Sequence, residues 1–523
     1  MNADLTFLGH NCFLVETAHE ALLIDPWLND TGAFFGSWHQ WPPNSHLRDV
    51  VHRRCAEKKL RIFLTHEHQD HFDRSTLAGF SAHPDCTVVI PSYRDKFLLD
   101  ALQGLHLNAV ELEEAQPCGG DIQFRIFIDD SGINHDAAIF VAAPGLTFFN
   151  QNDCKIFDRL PALVKELPDL DYYSVQFSGA NWHPSSFILP EDQRRREARK
   201  KVLSKLRNVA GGVKTLSPRF FVPAAGPAFF PFLDPALNAG TGTIFIHQNE
   251  LAEYLAQTGI HNVLYPRPGE RVNEDASRVP IPGPTPAEIE QYVATHKNVW
   301  EAIEDNFSPT RFAAILQRRL SLIAGITLPP ETPLITFRWG SGSSDSLVVD
   351  LVGNTLRATQ EPGAPCLLLS ASTRYFSLMC GEDRWQDIAL SLNATIERRP
   401  DVYNTLVNIF LFADESNLAE SVIHNLNLSK ERIVVEHKGQ QYEINRYCPH
   451  QGGDLAYASI DDDLHVVCPR HGWRFDLSCE GMCKTSGVSI DAIKVRAKPS
   501  ETSHRETLNH QRQRAPARRG VAS

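Results

Sequence analysis

An α/β chain is predicted, with two stacked β-sheets enclosed by helices in its first half and a region of mixed helix and strand behind them. Three observations predict it. Short apolar runs with strand-like alternation recur between polar breaks over the first 150 residues. One of these runs ends in the stretch RIFLTHEHQDHFD (61–73), where a buried strand opens into a loop holding His66, His68, Asp70 and His71. Beyond the strands, Ala198, Val202, Leu206 and Ala210 form an i,i+4 apolar stripe on a helical pattern.

The elements follow in order. Residues 5–16 and 21–24 read as two strands of a hairpin ending at Asp25. An aromatic loop (31–46) carries Phe34, Phe35, Trp38 and Trp41 without helical or strand period, and would either cover substrate or pack on another part of the chain. Strand-like runs at 87–90, 109–112, 122–128, 137–141 and 146–150 suggest the two sheets, and 171–187 returns to them through FSGANWHP. A helix over 191–210 bears eight Lys or Arg, a solvated face or a dock for an anionic substrate or an acidic protein. The Pro-rich stretch 220–234 reads as a packed loop, and 266–286 as a linker. Residues 287–323 are helical in pattern, 334–370 alternate like strands, and 375–398 return to helix.

The composition bounds the function. The 523 residues allow about three domains at roughly 100 to 200 residues each. A net charge of −12 argues against general nucleic-acid binding. The longest apolar candidate, 137–149, contains Pro144 and Gly145 and is too short to span a membrane. No basic and apolar leader opens the sequence, and eleven scattered Cys do not suggest a secreted disulfide framework, so a cytoplasmic location is expected.

The four side chains after the first metal-type strand are ligand types for Zn, Fe or Mn, and burying them together is costly without a cation. As H-x-H-x-D-H, the stretch resembles the metallo-β-lactamase superfamily. That resemblance implies an αββα sandwich with a dinuclear metal site, His66 and His68 serving one metal and Asp70 and His71 a second. It further implies Asp25 as the residue orienting the metal loop, His135 as the third His, and Asp153, 18 residues later, as the bridging carboxylate. Asp136 competes with His135, and the last His is open between His183 and His247. Asp70, Asp153 and Asp25 are the expected catalytic carboxylates.

Near the C-terminal end, Cys448 and His450 are followed after 17 residues by Cys468 and His471, the pattern C-x-H-x17-C-x2-H. One Cys pair can hold one iron of a [2Fe-2S] cluster while two imidazoles hold the other. A Cys2His2 zinc site competes, although zinc fingers group the two Cys and the two His separately. With CPRHGW, the pattern resembles Rieske domains, which are small and all-β. Gly453 and Arg470 stand where respiratory Rieske proteins carry two further Cys, so the resemblance implies the oxygenase or ferredoxin type. Cys479 and Cys483 lie outside the ligand pattern. The expected organisation is a metal domain (1–275), a helical and sterol-carrier-like accessory region (276–402), a Rieske domain (403–500) and a disordered basic tail (501–523).

A Rieske cluster passes one electron at a time and needs an acceptor. Only 52 residues follow His471, too few for an iron domain of the ordinary oxygenase kind, and no His pair is spaced five apart except His66 and His71. The acceptor is therefore expected in the first metal site, which zinc cannot be and iron can. The pairing of these two domains resembles the CMP-N-acetylneuraminate hydroxylases, with the domain order exchanged. It implies a Rieske-coupled non-haem di-iron monooxygenase that uses O2 on a small polar substrate, with a ferredoxin or flavin reductase as electron donor. The aromatic loop and the basic helix suggest a polar ligand, with an anionic one as an option. The alternative is a dinuclear zinc hydrolase regulated by a redox-sensing Rieske domain.

Overall fold

The computed structural model describes residues 2–495 apart from 131–134, 241, 341, 343–344, 359–362 and 429–430. The expected basic tail lies outside the described residues.

The first sheet has the strand order Asp4–Gly9, Cys12–Glu16, Glu20–Ile24, Lys59–Phe63, Cys86–Pro91, Ala109–Leu112, antiparallel at the start and parallel from the third strand onward. Alternation along each strand divides its side chains between two cores. From Glu20–Ile24, Leu22 and Ile24 face the other sheet, whereas Ala21 and Leu23 face the helices Arg48–Cys55, Arg74–Ala78 and Phe97–Gly104.

The second sheet runs Phe220–Ala224, Tyr172–Gln176, Leu146–Asn152, His135–Ala143, Gln123–Asp130, Cys118–Gly119. Its outer face packs on the long helix Glu191–Leu216 and on Gln248–Gln257. Two sheets between two helical layers make the αββα sandwich. Buried Val202, Leu206 and Ala210 join Val209 and Val213 in the core beneath the long helix. The stretch 220–234, expected as a loop, instead gives one strand to this sheet and a second, Ala228–Phe229, that pairs with His39–Gln40. Aromatic and β-branched residues there outweighed the prolines.

The middle region is a five-stranded sheet in the order Thr355–Arg357, Ser346–Asp350, Leu334–Arg338, Cys366–Ala371, Ala394–Arg399, covered by helices. The helix expected over 375–398 is two short helices, Thr373–Met379 and Trp385–Leu390, and then the edge strand Ala394–Arg399. Helices Thr405–Phe412 and Leu418–Asn427, just past the expected 402/403 boundary, bury their apolar faces in the middle core. Two three-stranded sheets complete the small all-β C-terminal domain around Ile444, Leu455, Val466 and Phe475. No helix among the described residues is long and apolar enough to cross a membrane.

Two facing centres on one cavity

The strand Lys59–Phe63 ends at the sheet edge, and the chain turns at once into the loop bearing His66, His68, Asp70 and His71. All four are buried or nearly so, with ring centroids of His66 and His71 4.2 Å apart and those of His66 and His68 4.6 Å apart. Asp25 is wholly buried at positive φ and fixes this loop from below. It accepts from the backbone N–H of Thr65 (2.8 Å), the Thr65 hydroxyl (2.6 Å), Asn11 (2.7 Å) and His71 Nδ1–H (2.7 Å). That last bond leaves His71 Nε2 to face the interior of the site.

Two groups of side chains converge there. His66, His71 and Asp153 offer ligand atoms within 4.8 Å of one another, and so do His10, Asp70 and His71. Asp153 arrives from the end of Leu146–Asn152, its Oδ1 3.7 Å from His71 Nε2. His135 comes from the start of the neighbouring strand, its Nδ1 3.7 Å from Glu67 Oε1 and its ring against Tyr93. Asp136 lies behind His66, 3.4 Å from its Nδ1.

The two late candidates go elsewhere. His247 caps the helix Gln248–Gln257, its Nε2 3.1 Å from the Asn238 carbonyl. His183 packs edge-on against Phe187, with Lys201, Arg398 and Lys200 as its charged neighbours rather than the metal-site carboxylates. The side chain not foreseen is His10, whose Nε2 stands 3.1 Å from Asp70 Oδ2. Gly9 at φ 113° and His10 at φ 50° break what had read as one continuous strand. A glycine inside a strand pattern was the available signal.

The donor set fits metal. Nε2 of His66, His68 and His71 and Oδ1 of Asp153 are buried and make no hydrogen bond among the described residues. So many convergent orphaned donors and acceptors would each cost about 1–3 kcal/mol uncompensated. The field is cation-seeking: against the cost of burial, Asp70 and Asp25 carry the His71 imidazolium up to about 10. Burial, then His66, pushes His68 down to about 3.

The second centre is built from two matching loops. In Cys448–Gly452 and in Cys468–Gly472, the N–H of the glycine returns to the Cys carbonyl at 2.9 Å. This brings Cys448 and Cys468 together, with His450 and His471 4.6 Å apart between ring centroids. A Cβ on Gly453 would lie 2.9 Å from Cys468 Sγ and 3.1 Å from Arg470 Cγ, so the two positions marked in the sequence abut each other. The Cys448 hydrogen bond lowers the Cys468 thiol, whereas burial raises Cys448. Burial, then Lys201, holds His450 down to about 3, and burial, then His450, lowers His471. Neutral imidazoles are the state that ligates iron, and the neighbouring thiol pair would bind it as thiolates. His450 Nδ1 has no hydrogen bond among the described residues. Trp473 stacks on His450, centroids 4.3 Å apart.

Both centres open on one cavity of about 1290 Å³, with His68, Asp70 and Asp153 in its wall together with His450, His471 and Trp473. The long helix lies between them. Ser204 donates to the His471 carbonyl (3.3 Å) and Asn208 to that of Arg470 (3.1 Å). The next residue, Lys205, donates to Gln176 Oε1, and Gln176 Nε2 donates to Asp153 Oδ2. Of the two roles expected of the aromatic loop, packing on another part of the chain is the one seen, and the loop also faces the cavity. Phe34 and Trp38 line the cavity, and Trp38 Nε1–H bonds the Leu390 carbonyl of the middle region at 2.7 Å.

Comparison with known proteins finds two domain models that match parts of the chain. The Rieske [2Fe-2S] domain model matches residues 408–491, and the Beta-lactamase superfamily domain model matches 4–137. A protein of Mycobacterium tuberculosis (strain ATCC 25618 / H37Rv) named as a Rieske 2Fe-2S iron-sulfur protein is 25% identical over 528 residues, covering 92% of this chain and 98% of its own. The oxygenase component of a 3-ketosteroid-9-alpha-monooxygenase of Mycolicibacterium smegmatis is 34% identical over 70 residues, 13% of this chain and 18% of that one. Among solved structures, the diiron β-hydroxylase CmlA of Streptomyces venezuelae aligns at 13% identity with a TM-score of 0.33, covering 52% of this chain and 54% of that one. A metallo-β-lactamase-fold domain at the N-terminal end and a Rieske domain at the C-terminal end are thus joined in one chain.

Proposed function

We propose that the chain is an O2-dependent hydroxylase in which electrons entering at Cys448, His450, Cys468 and His471 are used at a di-iron site in the first domain. His66, His68, Asp70, His71, His135 and Asp153 would hold the irons, with His10 beside Asp70. One observation carries this reading: the Ser204–Lys205–Gln176–Asp153 link spans from the cluster loop to the metal site along one cavity wall. When bound, the irons supply O2-activating redox chemistry and the cluster supplies electrons singly. The overall balance places one oxygen atom in a C–H or N–H bond of the substrate and the other in water. A ferredoxin or flavin reductase provides two electrons, and solvent two protons.

The protein's own groups then have defined tasks. Asp25 fixes the tautomer and direction of His71. Gln176 occupies one oxygen of Asp153 and leaves Oδ1 directed at His71. Phe34 and Trp38 keep water from the His68 side of the cavity.

Counting metal tests this. Protein purified without oxygen should hold about four irons and two acid-labile sulfides, and Cys468→Ser should keep about two irons, lose the sulfide and lose reductase-driven O2 consumption. Zinc in the first site would instead support the di-zinc hydrolase with a redox-sensing domain, and full O2 consumption by Cys468→Ser would overturn the electron relay from the cluster.

A further inference from the structure

The long helix changes character along its length. Its first turns carry the densest positive charge in the sequence, yet Arg195 and Arg196 are exposed and pair with Glu191 and Asp192 on the same helix. Such exposed i,i+4 pairs are screened by water and neutralise each other. Two turns further on, Lys201 and Lys205 enter the cavity wall, one turn apart. Neither has a carboxylate partner among the described residues. Lys201 Nζ donates to the His183 carbonyl at 2.9 Å, and Lys205 Nζ to the Gln176 amide oxygen.

A third group faces the same space. His183 Nε2 is buried in the cavity wall and makes no hydrogen bond among the described residues. Two half-buried ammonium groups and an orphaned imidazole edge, with Glu197, Asp136 and Asp153 acting on them only from beyond ion-pair distance, form a costly arrangement unless something negative joins them. Burial, then Arg398, draws the Lys201 ammonium down to about 7, and burial, then Lys155, does the same to Lys205. A bound anion would reverse that cost.

We infer that Lys201, Lys205 and His183 form an anion-binding subsite that takes a phosphate or carboxylate group of the substrate. The inference rests on the cavity being the substrate site, as in the function proposed above. The cavity volume of about 1290 Å³ exceeds the roughly 300–1,000 Å³ of ordinary ligand pockets. It therefore has room for a molecule whose anionic group lies at Lys201 while another part reaches Asp70 and Asp153. Charge-assisted hydrogen bonds in such a partly dry wall fix orientation as well as affinity.

The test uses the full chain loaded with metal and cluster, and titrates it calorimetrically with inorganic pyrophosphate and with citrate at low salt. At least one should bind with a Kd below about 1 mM, and the preference between them identifies the phosphate or the carboxylate source. Lys201→Gln should raise that Kd about tenfold or more, and Lys201→Arg should restore it, at unchanged iron and sulfide content. Binding of neither anion at millimolar concentration overturns the inference. So does an unchanged Kd in Lys201→Gln, since the anion then sits on the metals alone. Iron identity and O2 consumption do not enter this readout, so the subsite can stand if the site holds zinc and the hydroxylase reading fails.

Discussion

Asp25 shows how much of the metal site depends on one side chain that need not touch metal. Its two oxygens accept four hydrogen bonds, from Asn11, from both donors of Thr65 and from His71. Replacing it with Ala frees the His71 ring and unsatisfies buried Thr65. Asp25→Ala should therefore lower metal affinity about 10–100-fold, as loss of such supporting partners does elsewhere; competition with a chelator measures it, and an unchanged affinity would show that the loop is held by other means. The local part of this site was legible because His66, His68, Asp70 and His71 lie within six residues on a strand end. His10 was not, because its partner Asp70 is 60 residues away and its turn sits inside an apolar run. His247 misled for the opposite reason. A helix-capping His satisfied by a backbone carbonyl looks, in sequence, like any ligand.

At the level of elements, the middle region is more than an appendage. Arg384, at the start of the helix Trp385–Leu390, reaches into the metal loop and pairs with Glu67, the residue between His66 and His68, and with Asp414 at 3.2 Å. Arg384 and Glu67 side chains are only 3% and 5% exposed. Removing one partner of so buried a pair leaves an uncompensated charge and costs about 3–5 kcal/mol. Arg384→Met should lower stability by that order in denaturant unfolding, and Glu67→Gln added to it should recover part of the loss. A null effect of Arg384→Met would mean that Glu67 takes up a proton or is compensated by His135, whose Nδ1 lies 3.7 Å from it. None of this was visible in sequence. The strands at 334–370 were legible from their alternation, but the Arg384–Glu67 pair spans 317 residues and leaves no periodic trace. The αββα layers were legible for the converse reason, since each strand repeats its own two-faced pattern.

Across the whole molecule, function as proposed depends on the Rieske domain holding one position against the first domain. Each cluster loop is tied down from outside the small β-sheets that carry it. Thr405 and Asn425 donate to the Pro449 carbonyl at 3.5 and 3.1 Å, and Ser204 and Asn208 bind the other loop. A Cβ at Gly472 would overlap Ser204 Oγ, so the close approach of helix and loop requires glycine there. The strongest tie is Arg470, which replaces a loop-locking Cys and instead bonds Asp129 (2.7 Å) and Asp158 (3.2 Å) of the first domain. Its side chain is 12% exposed and that of Asp158 3%, so water screens these bonds little. Breaking them costs about 3 kcal/mol, roughly a hundredfold in the ratio of docked to undocked domain. Arg470→Ala should leave iron and sulfide content unchanged while slowing reoxidation of a prereduced cluster on mixing with O2, because electron transfer falls steeply with distance. Stopped-flow absorbance of the cluster follows this directly, and added salt should change the variant's rate little, because its remaining ties are neutral hydrogen bonds. Equal reoxidation rates in wild type and variant would mean that the cluster loses its electrons to O2 without passing through the first domain, and the link along the long helix would then have no role in turnover.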